Sequence, residues 1–209
     1  MAAGSASQSG AAAAGSSASA GFGSERFALD HFALFDLPQD FRVDSNALDA
    51  RYRALQVEMH PDRFATAADA ERRRALQWAT HINEAYQTLK KPLSRARYLL
   101  GLLGGECDFA RDTSLPMDFL VAQMELRETV ADAASAGRSE ELDSLRDDLV
   151  RQRRAHYEEL AGILALAANE QAQRTSALAR AADALRRLMF EEKLMADIDD
   201  ALAALDELN

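Results

Sequence analysis

Apolar residues recur along this chain at the spacing of an α-helix. Leu48, Tyr52, Leu55 and Met59 follow one another at intervals of four, three and four residues, and Trp78, Ile82, Ala85 and Leu89 repeat those intervals. Each set lies along one face of a helix turning about 100° per residue, so two amphipathic helices are expected. Asp44 or Ser45 offers an N-cap to the first, and Thr66-Ala67-Ala68-Asp69 reads as a capping box for the second. Arg51 and Arg53 fall off the first stripe and belong on a solvated face. Between the stripes runs Met59-His60-Pro61-Asp62-Arg63-Phe64. Proline disfavours the helical conformation in the residue before it, so the first helix stops at His60. Upstream, the apolar segment 27–37 allows one or two helical turns before Pro38. Downstream, Pro92 opens a further helix that Gly104-Gly105 ends. Together these elements predict a helical module with an antiparallel hairpin at its centre.

The remainder reads as three long helical segments, about 116–136, 139–168 and 171–208, broken at Gly137 and Asn169. In the middle segment Leu142, Leu145, Leu149, His156, Leu160, Ile163 and Ala167 hold near-heptad positions. Short breaks between long helices imply antiparallel neighbours, hence a three-helix bundle and an all-α fold. Residues 1–23 are almost wholly Ala, Gly and Ser without a charge, too poor in apolar surface to offset chain entropy, and are expected to be disordered. They lack the basic start and Leu-rich core of a secretory signal and the arginines of a transit peptide. The expected organisation is a tail over 1–23, a first module over 24–104, a connector over 105–115 and a bundle over 116–209.

The segment from Met117 carries too many apolar faces for a simple bundle helix. Met117, Leu120, Val121 and Met124 fall within a sector of about 100°. Phe119, Ala122, Leu126, Val130 and Ala133 fall on the opposite side. Glu125, Glu128 and Asp132 continue or flank the first stripe, whereas the second carries no acid. Burying those carboxylates without partners is costly, so the Phe119 side is expected in the core. Leu120, Val121, Met124, Glu125, Glu128 and Asp132 then form an exposed apolar patch with an acidic margin, as binding surfaces do. On the last helix Phe190 lies about 100° from the Leu185–Met189 stripe and is expected to extend that patch.

Composition narrows the function. The net charge is −10, unevenly spread: 24–104 holds 12 basic and 11 acidic residues, whereas 105–209 holds 12 basic and 23 acidic. An acidic second half disfavours nucleic acid, and the lack of a long uncharged apolar run disfavours a membrane span. The single cysteine, Cys107, excludes an internal disulfide framework and a thiolate metal cluster built from this chain alone. An enzyme or metal site using His60, Asp62 and His81 finds no support, because no HExxH pair and no Gly-rich phosphate loop accompanies them. No catalytic residue, cofactor or metal is expected, and His31 and His156 read as ordinary structural or surface residues.

Several strings stand in a telling order. His31-Phe32-Ala33-Leu34-Phe35-Asp36-Leu37-Pro38 opens the first module, and Tyr52-Arg53-Ala54-Leu55-Gln56 leads into Met59-His60-Pro61-Asp62-Arg63-Phe64-Ala65. Ile82-Asn83-Glu84-Ala85-Tyr86-Gln87-Thr88-Leu89 precedes Pro92-Leu93-Ser94-Arg95-Ala96-Arg97-Tyr98-Leu99-Leu100, followed by Arg111-Asp112-Thr113 and Glu125-Leu126-Arg127-Glu128. Over about 27–205 the chain resembles the HscB-type J-domain co-chaperones of iron–sulfur cluster assembly. The resemblance implies an N-terminal J domain, a helical hairpin with a His-Pro-Asp loop, followed by a C-terminal three-helix bundle. It implies that His60, Pro61 and Asp62, supported by Arg51, Arg53 and Arg63, dock on an HscA-type ATPase chaperone and stimulate it. It further implies that Leu120, Val121, Met124, Glu125, Glu128, Asp132 and Phe190 bind an iron–sulfur scaffold protein of the IscU type. A J-domain co-chaperone with a different client keeps the first role and discards the second. Val121 and Met124 stand where relatives often carry Met and Leu, and Asp132 is shorter than the usual Glu. The paired CxxC motifs of eukaryotic members are absent, so the chain resembles the bacterial, cytoplasmic type without zinc.

Overall fold

Seven α-helices and two short 3-10 turns make up the described residues, 28–64, 66–106 and 115–207, of a computed structural model of the chain. No strand occurs among them, as the all-α expectation requires. The tail over 1–23, Cys107, Arg111-Asp112-Thr113 and most of the 105–115 connector lie outside the described residues.

Helix α1 (His31–Leu34) begins where Asp30 accepts the Ala33 amide at 3.0 Å, and it drives Phe32 and Phe35 into the core. Helix α2 (Ser45–Glu58) is capped by Asp44, whose carboxylate accepts the Asn46 and Ala47 amides at 2.9 and 3.4 Å. Leu48 and Met59 are buried and Tyr52 and Leu55 half-buried, so the whole stripe faces inward. Helix α3 (Asp69–Lys90) buries Trp78, Ile82, Ala85 and Leu89. The expected capping box does not form, since the N-cap is Ala68 and makes no side-chain bond. The helix starts two residues later than the box needs, which makes Asp69 its first residue; Asp69 and Glu71 serve instead as first-turn anions.

Polar contacts fasten α2 to α3. Tyr52 stacks on Tyr86 at 3.9 Å and donates to Asn83 Oδ1 at 2.8 Å. Tyr86 and Lys90 both donate to Asp49 Oδ1, at 2.9 and 2.7 Å. These bonds hold the Asp49 carboxyl below its usual range and raise the Lys90 ammonium. Helix α4 (Pro92–Leu102) closes on Gly104, whose φ of +86° lets its amide reach the Gly101 carbonyl at 3.0 Å while Gly105 reaches Leu100 at 2.9 Å. Gly137 closes α5 (Met117–Ser135) in the same way. Helices α6 (Ser139–Asn169) and α7 (Arg174–Asp206) complete the bundle.

Two apolar clusters hold the molecule. The larger joins Phe32, Trp78 and Leu100 of the first half to Leu160, Leu164, Leu185 and Leu188 of the second, so α4 lies directly on α6 and α7. Arg174 adds a hydrogen bond from Nε to the Leu103 carbonyl at 3.3 Å. The smaller cluster packs Val130, Ala133, Leu142, Leu149, Leu194 and Ile198 where α5 meets α6 and α7. Between them along α6 and α7 lies a polar pair: Glu191, 1% exposed, stands 2.7 Å from His156 Nδ1. Desolvation pushes the Glu191 carboxyl above its usual range, although His156, Arg153 and Arg187 pull the other way. Sequence reasoning gave His156 no such partner. No described helix is long and apolar enough to cross a membrane.

Two outcomes follow from this packing. Leu100→Ala should cost about 2–5 kcal/mol, and the loss should appear equally in the fluorescence of Trp78, the sole tryptophan, and in total helicity during urea unfolding. A shift confined to Trp78 would show that the clusters unfold independently. Glu191 binds its proton more tightly folded than unfolded, so the carboxyl costs stability as pH rises from the unfolded value of 4.5 through its raised folded value. Glu191→Gln should therefore gain on the wild type with rising pH across that window, by less than about 1.4 kcal/mol per unit. Parallel stability curves would contradict this.

Candidate functional site

The His-Pro-Asp turn is built from the end of α2. Met59, 3% exposed, is the C-cap and its amide reaches the Leu55 carbonyl at 2.9 Å, which anchors the residue before His60. Pro61 then opens a 3-10 turn, Pro61–Phe64, with the Arg63 amide on the His60 carbonyl at 3.0 Å. His60 Nδ1 accepts the Asp62 amide at 3.3 Å, which makes Nε2 the protonated, donor nitrogen. The 3.6 Å approach of Nδ1 to the Asp62 carboxylate is too long for a hydrogen bond. The His60 and Asp62 side chains are 58% and 89% exposed, so both are presented to solvent by a fixed backbone.

The three arginines differ in their engagement. Arg63 turns back and donates from Nη1 to the Val57 and Glu58 carbonyls, both at 3.3 Å. It thereby satisfies carbonyls at the end of α2 and ties the turn to the helix. Arg51 lies 3.5 Å from Asp36, which occupies a left-handed φ of +52° after α1. Arg53 is exposed on α2, as the stripe predicted. Two exposed apolar side chains escaped sequence reasoning: Val57 on α2 at 70% and Leu76 on α3 at 61%. The signal was present, since neither belongs to a buried stripe.

The second surface is carried by α5. Its fully buried residues, Val130 and Ala133, both lie in its carboxyl-terminal half. The amino-terminal half leaves Met117, Val121 and Met124 at 74%, 45% and 64% exposure, with Leu120 half-buried. Glu125, Glu128 and Asp132 are exposed beside them. The other face departs from expectation in part. Phe119 and Leu126 are only half-buried, and Ala122 is exposed, so its placement in the core is corrected. The physical reason is that Ala122 lies at the margin of that face, beside the exposed Asp118, Glu125 and Thr129, while on the opposite margin Arg127 Nε lies 3.8 Å from Asp197. Phe190 of α7 is half-buried and meets Phe119 edge-on, with centroids 6.1 Å apart at 88°. The Arg187 guanidinium stands 5.5 Å over the Phe119 ring. Phe190 is thus joined to α5 through Phe119. Among the described residues no group of three or more His, Cys, Asp or Glu could hold a metal ion.

Removing the Arg63 side chain frees two carbonyls and unties the turn. Arg63→Ala should raise amide hydrogen exchange at Asp62 and Arg63 about fivefold, the equivalent of one lost hydrogen bond near 1 kcal/mol. Unchanged exchange would show that the turn holds itself.

Residues 115–199 match a family model described as the HSCB C-terminal oligomerisation domain. The chain is 49% identical over 177 residues to a co-chaperone protein HscB homolog of Ralstonia nicotianae, covering 85% of this chain and 96% of the relative. It is 46% identical over 177 residues to the homolog of an Azoarcus species, with the same coverage of 85% and 96%. Among solved structures, chaperone HscB from Vibrio cholerae superposes with a TM-score of 0.73 at 37% identity, covering 85% of this chain and 99% of that one. Human co-chaperone HscB superposes with a TM-score of 0.71 at 27% identity, covering 82% and 81%.

Proposed function

The chain belongs to the HscB family of co-chaperones, and from that membership we propose that it couples an iron–sulfur scaffold protein to an HscA-type ATPase chaperone. The observation that carries the reading is the presence of two exposed surfaces of different chemistry on one helical body. One is the His60–Asp62 turn beside the basic face of α2; the other is the acid-edged apolar face of α5. We assign the J domain to 24–104 and scaffold binding to 116–209.

The turn acts without covalent chemistry. Asp62 offers an exposed carboxylate to a cationic side chain of the chaperone, a charge-assisted contact. His60 offers its Nε2–H, and Pro61 fixes the backbone that presents both. Arg51 and Arg53 supply positive charge along α2 and Val57 an apolar contact, while Arg63 holds the turn in place. ATP hydrolysis is stimulated because these contacts fit one conformation of the chaperone better than another.

The α5 surface holds the client. Val121, Met124 and Leu120 give apolar area, and Met124 adapts readily to a facing surface. Glu125, Glu128 and Asp132 set a rim that selects a basic partner surface. Phe190, seated on Phe119, supplies an aromatic edge. Holding both partners on one body raises the local concentration of client at the chaperone. The chain is thus an adaptor rather than an enzyme, works in the cytoplasm and carries no cofactor of its own.

His60→Gln and Asp62→Asn should each abolish stimulation of the chaperone ATPase while leaving scaffold affinity unchanged. Leu120→Ala, Met124→Ala or Phe190→Ala should weaken scaffold binding by about 1 kcal/mol or more, roughly fivefold, with the turn's own stimulation intact. Titration calorimetry and a phosphate-release assay separate the two, and a variant that impairs both equally would contradict the division of roles.

A further inference from the structure

Where the first half meets the bundle there is a cleft of about 380 Å3, within the range of small-ligand sites. It lies between Phe41, the start of α4 at Pro92, and the stretch of α6 around Arg153–Tyr157. It shares no residue with either surface described above.

The unusual group in its lining is Arg95. Its side chain belongs to a residue only 8% exposed, and its ring neighbour is Phe41, with the guanidinium 5.0 Å from the centroid. Nη1 donates to the Leu89 carbonyl at 2.6 Å, at the end of α3, but Nε has no hydrogen-bond partner. Among the described residues no carboxylate pairs with it. A buried guanidinium with one carbonyl and one aromatic face but no carboxylate is a poorly compensated charge. Burial accordingly lowers its proton affinity, and the neighbouring Tyr157 phenol is raised by the same desolvation.

The surroundings add more positive charge. Arg153 also has a buried Nε without a partner, and its ion pair with Glu192 is a loose 3.9 Å. Arg154 is exposed at the same cleft. The one acid in the lining, Glu158, is already engaged by Arg42 at 2.8 Å. Helix α4 begins at Pro92 without a side-chain cap, so the positive end of its dipole lies at this lip. The remaining walls are apolar: Phe41 stacks near Tyr157 with centroids 6.0 Å apart, and Val150 is 47% exposed.

We propose that this cleft binds a small amphipathic oxyanion, a carboxylate or phosphate monoester on an apolar body. Arg153 and Arg154 receive the head in front of Arg95, and the body lies on Phe41, Tyr157 and Val150. The ligand supplies the countercharge that the fold leaves missing, and it touches both halves of the chain at once.

The full chain is titrated with octanoate, octyl phosphate, octan-1-ol and inorganic phosphate. Binding is read by amide chemical shifts and by the rise in melting temperature on ligand binding. Octanoate and octyl phosphate should saturate shifts at Phe41, Arg95 and Tyr157 below about 10 mM, a weak site on the usual affinity scale. Octan-1-ol and inorganic phosphate should each bind at least fivefold more weakly. Arg154→Glu should weaken octanoate at least fivefold, with helicity and melting temperature of the free protein unchanged. Arg95→Met should abolish binding, but because Arg95 also holds the α3–α4 corner, the decision rests on Arg154→Glu and Arg153→Gln. The proposal is overturned if octanoate does not saturate, if octan-1-ol binds as well as octanoate, or if Arg154→Glu and Arg153→Gln bind octanoate like the wild type.

Discussion

The structure depends on one apolar contact, the seating of α4 on α6 and α7. Leu99 and Leu100 on α4 and Leu160, Leu164, Leu185 and Leu188 on the bundle belong to one buried cluster that also contains Trp78 and Phe32. Each fully buried side chain of this size contributes about 1.5–3 kcal/mol, so the joint is far stronger than a few surface ion pairs could make it. Because the same cluster buries the stripe of α3, the hairpin that carries the His-Pro-Asp turn is continuous with the bundle. The turn and the α5 face are therefore presented by a single packed body. An adaptor gains from this, since the local concentration of one partner at another is set by the span and stiffness between the two sites.

Both surfaces arise from what the fold cannot bury. On α5, Glu125, Glu128 and Asp132 line one side, and Asp118 and Thr129 border Ala122 at the edge of the other, so little of the helix is fully buried. The helix is held chiefly through Val130 and Ala133, and its first half stands out with Met117, Val121 and Met124 exposed. At the turn, Pro61 stops α2 and Arg63 satisfies the carbonyls left at its end, which frees His60 and Asp62 for solvent. In each case a local rule of helix chemistry decides what remains available to a partner.

Much of this was legible from the residues. The stripes Leu48–Met59 and Trp78–Leu89 and the outward face of α5 follow directly from helical spacing, and Asp44, Pro92, Gly104 and Gly137 mark helix ends by their intrinsic geometry. The departures have physical causes. Thr66 reads as a cap only if the helix begins at once, and it begins at Asp69. Ala122 looks like core because alanine is apolar, yet its small side chain gains little from burial and its neighbours on that face are polar. The Glu191–His156 pair, Arg95 over Phe41 and the return of Arg63 to α2 are contacts between segments or across a turn, which no periodicity encodes. Exposed Val57 and Leu76 could have been found by asking which apolar residues fall off every stripe.

The central claim is that one body couples a client surface to a trigger. It is tested most directly by the ATPase rate of an HscA-type chaperone measured with this chain, with the iron–sulfur scaffold, and with both together. Coupling predicts a rate with both that exceeds the sum of the separate stimulations, and a shift of that excess to roughly fivefold higher scaffold concentration when Met124 is replaced by alanine. A rate that is merely additive with the intact chain would contradict the account.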